Sequence, residues 1–226
     1  MRVRGYVHIL TRMQLDSIRS YADEMEKANK FKLEELSREA EEDTKDLTEE
    51  EQDKYWDWKV DEINEVKKTF PSLLRYSTVV SVYSIIEQAL LRIVKPHMAE
   101  LLKYEDVGKL NPKFNDELRK FKYKGSLIEK LRQYIHENID LEFPCSCEEW
   151  NFITDLNIIR NNIVHCNGRI YDDQDSERLE KVIASYNSIT FSESNEIVLQ
   201  QEFVQHMIKS VEDFFLLLFN PIPQNT

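Results

Sequence analysis

The chain has 226 residues, with 42 acidic against 30 basic side chains, and its formal net charge of −12 disfavours bulk attraction to nucleic acid. Four glycines and six prolines are few for this length and disfavour a strand-and-turn architecture, while three irregularly spaced cysteines cannot make a disulfide scaffold. The N-terminal MRVRGYVHIL lacks the apolar core and cleavage site of a leader, and no run reaches the ~18–20 apolar residues of a membrane span, so one cytoplasmic, all-α domain over 1–226 is expected.

Residues 11–44 read as a first helix, with Met13, Ile18, Tyr21, Met25 and Ala28 as a partial apolar stripe. From Leu33 to Glu62 there are fourteen acids and four bases, a local net charge of −10. Thr48-Glu-Glu-Glu51 is a capping box that opens a second helix to about Thr69, with Trp56, Val60, Ile63 and Val66 at helical spacing. Residues 1–70 are therefore expected to form an acidic helical hairpin added to a bundle core at 71–220. Trp56, Trp58 and Trp150 are read as packing residues.

Pro71 suits the first turn of a third helix, where its missing N–H costs nothing. PSLLRYSTVVSVYSIIEQALLRIV is apolar almost all round, the pattern of a central bundle helix, and Pro96 is expected to end it. Glu87 falls within it on the stripe of Val80, Tyr83, Leu91 and Val94, where a carboxylate needs a partner or a route to water. Between Lys113 and Arg132 seven bases face three acids, and Lys120, Lys122 and Lys124 form a weak candidate RNA-binding patch.

A further helix, about Glu148–Cys166, places Trp150, Ile153, Leu156, Ile159 and Ile163 inward and stops at Asn167-Gly168. A weaker helix at 176–186 follows. SITFSESNEIVLQ then reads as a small β-hairpin, and a last helix at 201–219 docks FFLLLF into the core.

The candidate site is IIRNNIVHCNG, at 158–168. Arg–His spacing alone carries no weight, because Arg92-Ile-Val-Lys-Pro-His97 repeats it. Context separates the two. Asn161 is a polar residue unfavourable in a helix interior, and it shares a face with His165 at i, i+4. Arg160 is turned about 140° from His165, so only its long side chain could bring the guanidinium to the same place. His165 lies in the last helical turn, where the dipole favours a cation by ~0.3–1 kcal/mol.

Arg160-Asn161-x-x-x-His165 near the end of a helix in an all-helical chain resembles the signature of the HEPN superfamily, and LLRYSTVVSVYSIIEQAL is similar to the helix that precedes it in many members. The resemblance covers about 71–220. It implies a metal-independent endoribonuclease, toxin or antiviral-defence effector, with its active site formed across a homodimer and a neutralising partner protein. Arg160, Asn161 and His165 would be catalytic and Glu87 would support Arg160. The residues permit this chemistry, since RNA supplies its own 2′-OH nucleophile, guanidinium binds phosphate oxygens, and His and Asn can move or orient a proton. Cleavage would leave a 2′,3′-cyclic phosphate and a 5′-OH. Asn167 stands where members modified by a nucleotidyltransferase carry Tyr, which argues against that type of partner. The rival expectation is a non-catalytic HEPN-like helical module that binds RNA or protein through its acidic hairpin.

No cofactor or metal is expected. Cys145, Cys147, His165 and Cys166 hold zinc-type ligands, but the Cys-x-Cys pair lies about 27 Å along the helix from the other two. Gly-rich phosphate loops and Gly-x-Ser-x-Gly elbows are lacking, so nucleotide hydrolysis and serine catalysis have no support.

Overall fold

The first helix begins earlier and faces differently than its apolar pattern suggests. In the computed structural model, which describes residues 2–171 and 176–219, α1 runs Arg2–Thr44. Its inward row is Val7, Thr11, Leu15, Ala22, Leu36 and Ala40, with Ile18 half-buried, whereas Met13 and Tyr21 of the expected stripe are 61% and 58% exposed. Thr11 can face inward because its hydroxyl donates to the Val7 carbonyl at 2.8 Å, which removes most of the cost of burying it.

Thr48 opens α2 (Glu49–Asn64) with the expected capping box, its backbone N–H donating to the Glu51 carboxylate at 2.9 Å. The next stretch differs from expectation. A π-turn at Glu65–Thr69 carries the chain into α3 (Phe70–Leu101) without a break, with Pro71 in the first turn of α3. Pro96 does not end α3 either. A proline there forfeits one helical hydrogen bond, and burial of Met98 and Ala99 beyond it holds the last turn in place. The Glu49–Leu101 run contains a window long and apolar enough to cross a membrane, contrary to expectation, but 56% of that window is buried inside the bundle, as in a core helix.

The remaining elements are α4 (Val107–Leu110), a 3-10 turn at Asn111–Lys113, α5 (Phe114–Lys120), α6 (Leu127–Asn138), α7 (Glu148–Cys166), α8 (Ser176–Ala184) and α9 (Gln201–Phe219). Strands β1 (Ile189–Phe191) and β2 (Ile197–Leu199) pair antiparallel, Ile189 opposite Leu199, as the small hairpin expected there. The fold is all-α with that one two-stranded sheet among the described residues.

One apolar core joins the first half of α1 to α3, α6, α7 and α9. Tyr83, Leu90, Leu131, Ile153, Ile159, Phe203 and Phe214 are all essentially inaccessible within it. Val7, Leu15 and Ala22 belong to this core, so packing does not divide the chain at residue 70. Leu36, Ala40 and Val66 are buried outside it, in the part of the acidic hairpin that stands away from the bundle. α2 itself buries nothing. Trp56 is 42% and Trp58 74% exposed, so neither is the packing residue expected, whereas Trp150 is buried against Phe143 and Phe214.

Candidate active site at the end of helix α7

The inward positions of α7 are those expected: Trp150, Ile153, Leu156, Ile159 and Ile163 are all buried. Each such side chain contributes about 1.5–3 kcal/mol. Its N-cap is Cys147, whose sulfur accepts the Trp150 amide at 3.3 Å, and burial pushes that thiol up from its ordinary range. At the other end Asn167 takes the left-handed conformation (φ 52°), and its N–H donates to the Asn162 carbonyl.

Gly168 continues the turn with φ +80°, and a Cβ there would lie 2.0 Å from the Tyr76 hydroxyl. Glycine is required on both counts. The chain leaving α7 is then stitched to the hairpin. The Ile197 N–H donates to the Gly168 carbonyl, the Ile170 N–H to the Asn195 carbonyl, and Tyr76 donates its hydroxyl hydrogen to the Ile197 carbonyl. Arg75 ties the same sheet to the bundle, reaching the Leu199 carbonyl at 2.8 Å and both carboxylate oxygens of Glu26. The turn bearing His165 is thus anchored from both sides.

Asn157, Asn161 and His165 recur at i, i+4 and line one cleft of about 300 Å³ together with Cys166, Arg169 and Arg178. His165 is exposed and Asn161 half-buried. Asn157 also accepts the Tyr83 hydroxyl at 2.7 Å, which fixes the first member of the ridge to α3.

Arg160 does not line this cleft. Its guanidinium lies over the Tyr83 ring, 5.2 Å from the centroid, and its Nη1 donates to Asn161 Oδ1 at 3.1 Å. Arg160 Nε is buried without a partner. Asn161 therefore links the arginine to the histidine's cleft. Glu87 is half-buried and forms no ion pair with Arg160. Burial holds its carboxyl above the ordinary glutamate value, and the Arg160 charge opposes that rise through space. The same surroundings push the Tyr83 hydroxyl up, chiefly by burial and then by the Glu87 charge.

Lys120, Lys122 and Lys124 are not brought into the cleft. Lys120 pairs with Glu117 at 2.8 Å, and Lys122 and Lys124 lie exposed in the turn before α6. The decoy pair is occupied elsewhere: Arg92 donates to Gln14 at 3.2 Å and His97 Nδ1 meets the Tyr134 hydroxyl at 3.0 Å. No cluster of His, Cys, Asp and Glu among the described residues is placed to hold a metal ion.

Sequence reasoning missed Tyr83, Asn157, Arg169 and Arg178. Asn157 had a signal, four residues before Asn161 on the same helix face. Arg169 and Arg178 had none, because the hairpin and α8 bring them in from beyond the helix.

Comparison of the chain with protein-family models, with curated proteins and with solved structures gives no match.

Proposed function

We propose that this protein is a metal-independent endoribonuclease of HEPN type, acting as a toxin or defence effector through a site shared by two copies. The observation that carries the reading is the Asn157–Asn161–His165 ridge, which opens on a cleft while Arg160 is hydrogen-bonded to its middle member. An exposed imidazole can give or take a proton at a bound phosphodiester, and a guanidinium can neutralise the charge that develops there. Asn161 would set the relative position of the two. Arg160 lies outside the cleft of its own chain, and His165 and Val164 are exposed at the helix end, which favours a second copy meeting this turn.

The test is incubation of the purified protein with single-stranded RNA, followed by analysis of the new ends. A 2′,3′-cyclic phosphate and a 5′-OH are expected, with Arg160→Ala and His165→Ala each slower by about 10²–10⁴. Ends bearing a 3′-OH and a 5′-phosphate would rule the mechanism out. Expression in a bacterial host should be toxic for the wild type and harmless for either variant.

A second reading has its own observation. Trp56 and Trp58 stand exposed on the acidic hairpin, a surface suited to a basic protein partner and independent of the α7 cleft. Harmless expression of wild type and variants alike, with no RNA cleavage, would favour it.

A further inference from the structure

The α7 cleft differs in charge from three other clefts among the described residues. The groove between α1 and α9 has cations too, but they are answered: Arg12 pairs with Asp16 at 4.0 Å, Arg19 with Glu212 at 2.6 Å and Lys209 with Asp213. Glu26 pairs with Arg75 in the small cleft between α1 and α3, and Glu180 lines the one of about 290 Å³ beside β1. The α7 cleft is lined by Arg169, Arg178 and His165 and by no described carboxylate, in a chain of net charge −12.

Its two arginines are not equivalent. Arg169 is held by Glu196 at 2.9 Å. Arg178 makes no ion pair or hydrogen bond with another described residue and is exposed. It also lies in the first turn of α8, where the helix dipole opposes a cation and would welcome an anion beside it. Tyr171 lines the same cleft and is 56% exposed. A guanidinium and an exposed aromatic side chain on one cleft suit a phosphate with its attached base, the unit of a single strand.

We infer that Arg178 anchors a backbone phosphate of single-stranded RNA next to the one that reaches His165, with Tyr171 stacking the adjoining base. This rests on the nuclease reading for its substrate, but not for its binding. Arg178 is a positioning residue and takes no part in proton transfer.

The experiment uses a 12-nucleotide 2′-O-methyl oligonucleotide, which lacks the attacking hydroxyl and cannot be cut, followed by fluorescence anisotropy across a salt series. Arg178→Ala should weaken binding about tenfold, as loss of one charged hydrogen-bonding contact does. It should also lower the slope of log affinity against log salt by about 0.7, the value for one single-strand phosphate. Arg178→Lys should keep the slope and part of the affinity. On cleavable RNA, Arg178→Ala should raise KM and leave kcat within about twofold. Wild-type affinity and salt slope in Arg178→Ala or Arg178→Glu, or no binding by the wild type, would each overturn the inference. Arg178-dependent binding without any RNA cleavage would sustain it and remove the nuclease reading. Cleavage with the expected ends but no Arg178 effect would do the reverse.

Discussion

The Arg160 guanidinium rests 5.2 Å over the Tyr83 ring while its Nη1 reaches Asn161, so the arginine is placed by α3 as much as by its own helix. A cation over a partly desolvated ring gains about 0.5–2 kcal/mol. Tyr83 is 1% exposed and its hydroxyl donates to Asn157. Tyr83→Phe should cost about 1 kcal/mol in denaturant unfolding, since it removes that bond and keeps the ring. Tyr83→Leu should cost about 2–3 kcal/mol through lost packing. If the ring positions Arg160, RNA cleavage falls far more in the leucine variant than in the phenylalanine one. Equal activities would show that the ring serves the core alone.

Glu87 gives a pH prediction with a definite sign. Its carboxyl is raised in the folded protein, first by burial, against a partial lowering by Arg160. The folded state therefore holds this proton more tightly than the unfolded state does. That contribution to stability is fully present below the ordinary glutamate value and is lost as pH rises through the raised folded value. Glu87→Gln should leave the unfolding midpoint unchanged in acid and raise stability at neutral pH, by no more than about 1 kcal/mol for a half-exposed group. A variant less stable than wild type at neutral pH would show that the Arg160 attraction outweighs burial.

Much of the fold was legible in the sequence where periodicity and stop signals agreed. α7 begins and ends where its inward row and Asn167-Gly168 place it, and the β-hairpin and α9 follow their patterns. Legibility failed where apolar residues lay on two faces or where packing overrode a breaker. Met13 and Tyr21 made a plausible stripe on α1, yet the core took the row through Thr11, which satisfies its own hydroxyl locally. Pro71 and Pro96 marked boundaries by local chemistry, and a π-turn and buried contacts carried the helix through both. At the site, the Asn157–Asn161–His165 ridge is local and readable, whereas Tyr83, Arg169 and Arg178 arrive through tertiary contacts that no spacing encodes.

Trp58 offers a check on the acidic hairpin. It is 74% exposed, with Tyr55 against its edge and Lys59 over its ring. No packing role explains it, so Trp58→Ser should change stability by less than about 0.5 kcal/mol. Unchanged thermal unfolding with unchanged RNA cleavage would separate the hairpin from the α7 site. A large loss of stability would mean that the ring is covered in solution, as by self-association.

Gly168 is the position at which a single methyl group should do the most damage to the candidate site. Its φ of +80° costs an alanine about 1–2 kcal/mol of backbone strain. The added Cβ would also displace the Tyr76 hydroxyl, which bonds the Ile197 carbonyl, and a lost bond of that kind is worth about 1 kcal/mol. Gly168→Ala should therefore lose about 2–3 kcal/mol by denaturant unfolding. Tyr76 would have to move to admit the methyl, and the hairpin would loosen from the end of α7. The double variant Gly168→Ala, Tyr76→Phe tests whether the two residues are coupled. It removes the collision with the hydroxyl oxygen, though ring carbons at 2.6 and 2.8 Å and the strain remain. It loses the bond to Ile197 only once, so it should be less impaired than the separate losses combined. Strict additivity would mean that tyrosine and glycine do not interact, and that His165 is held by the helix cap alone.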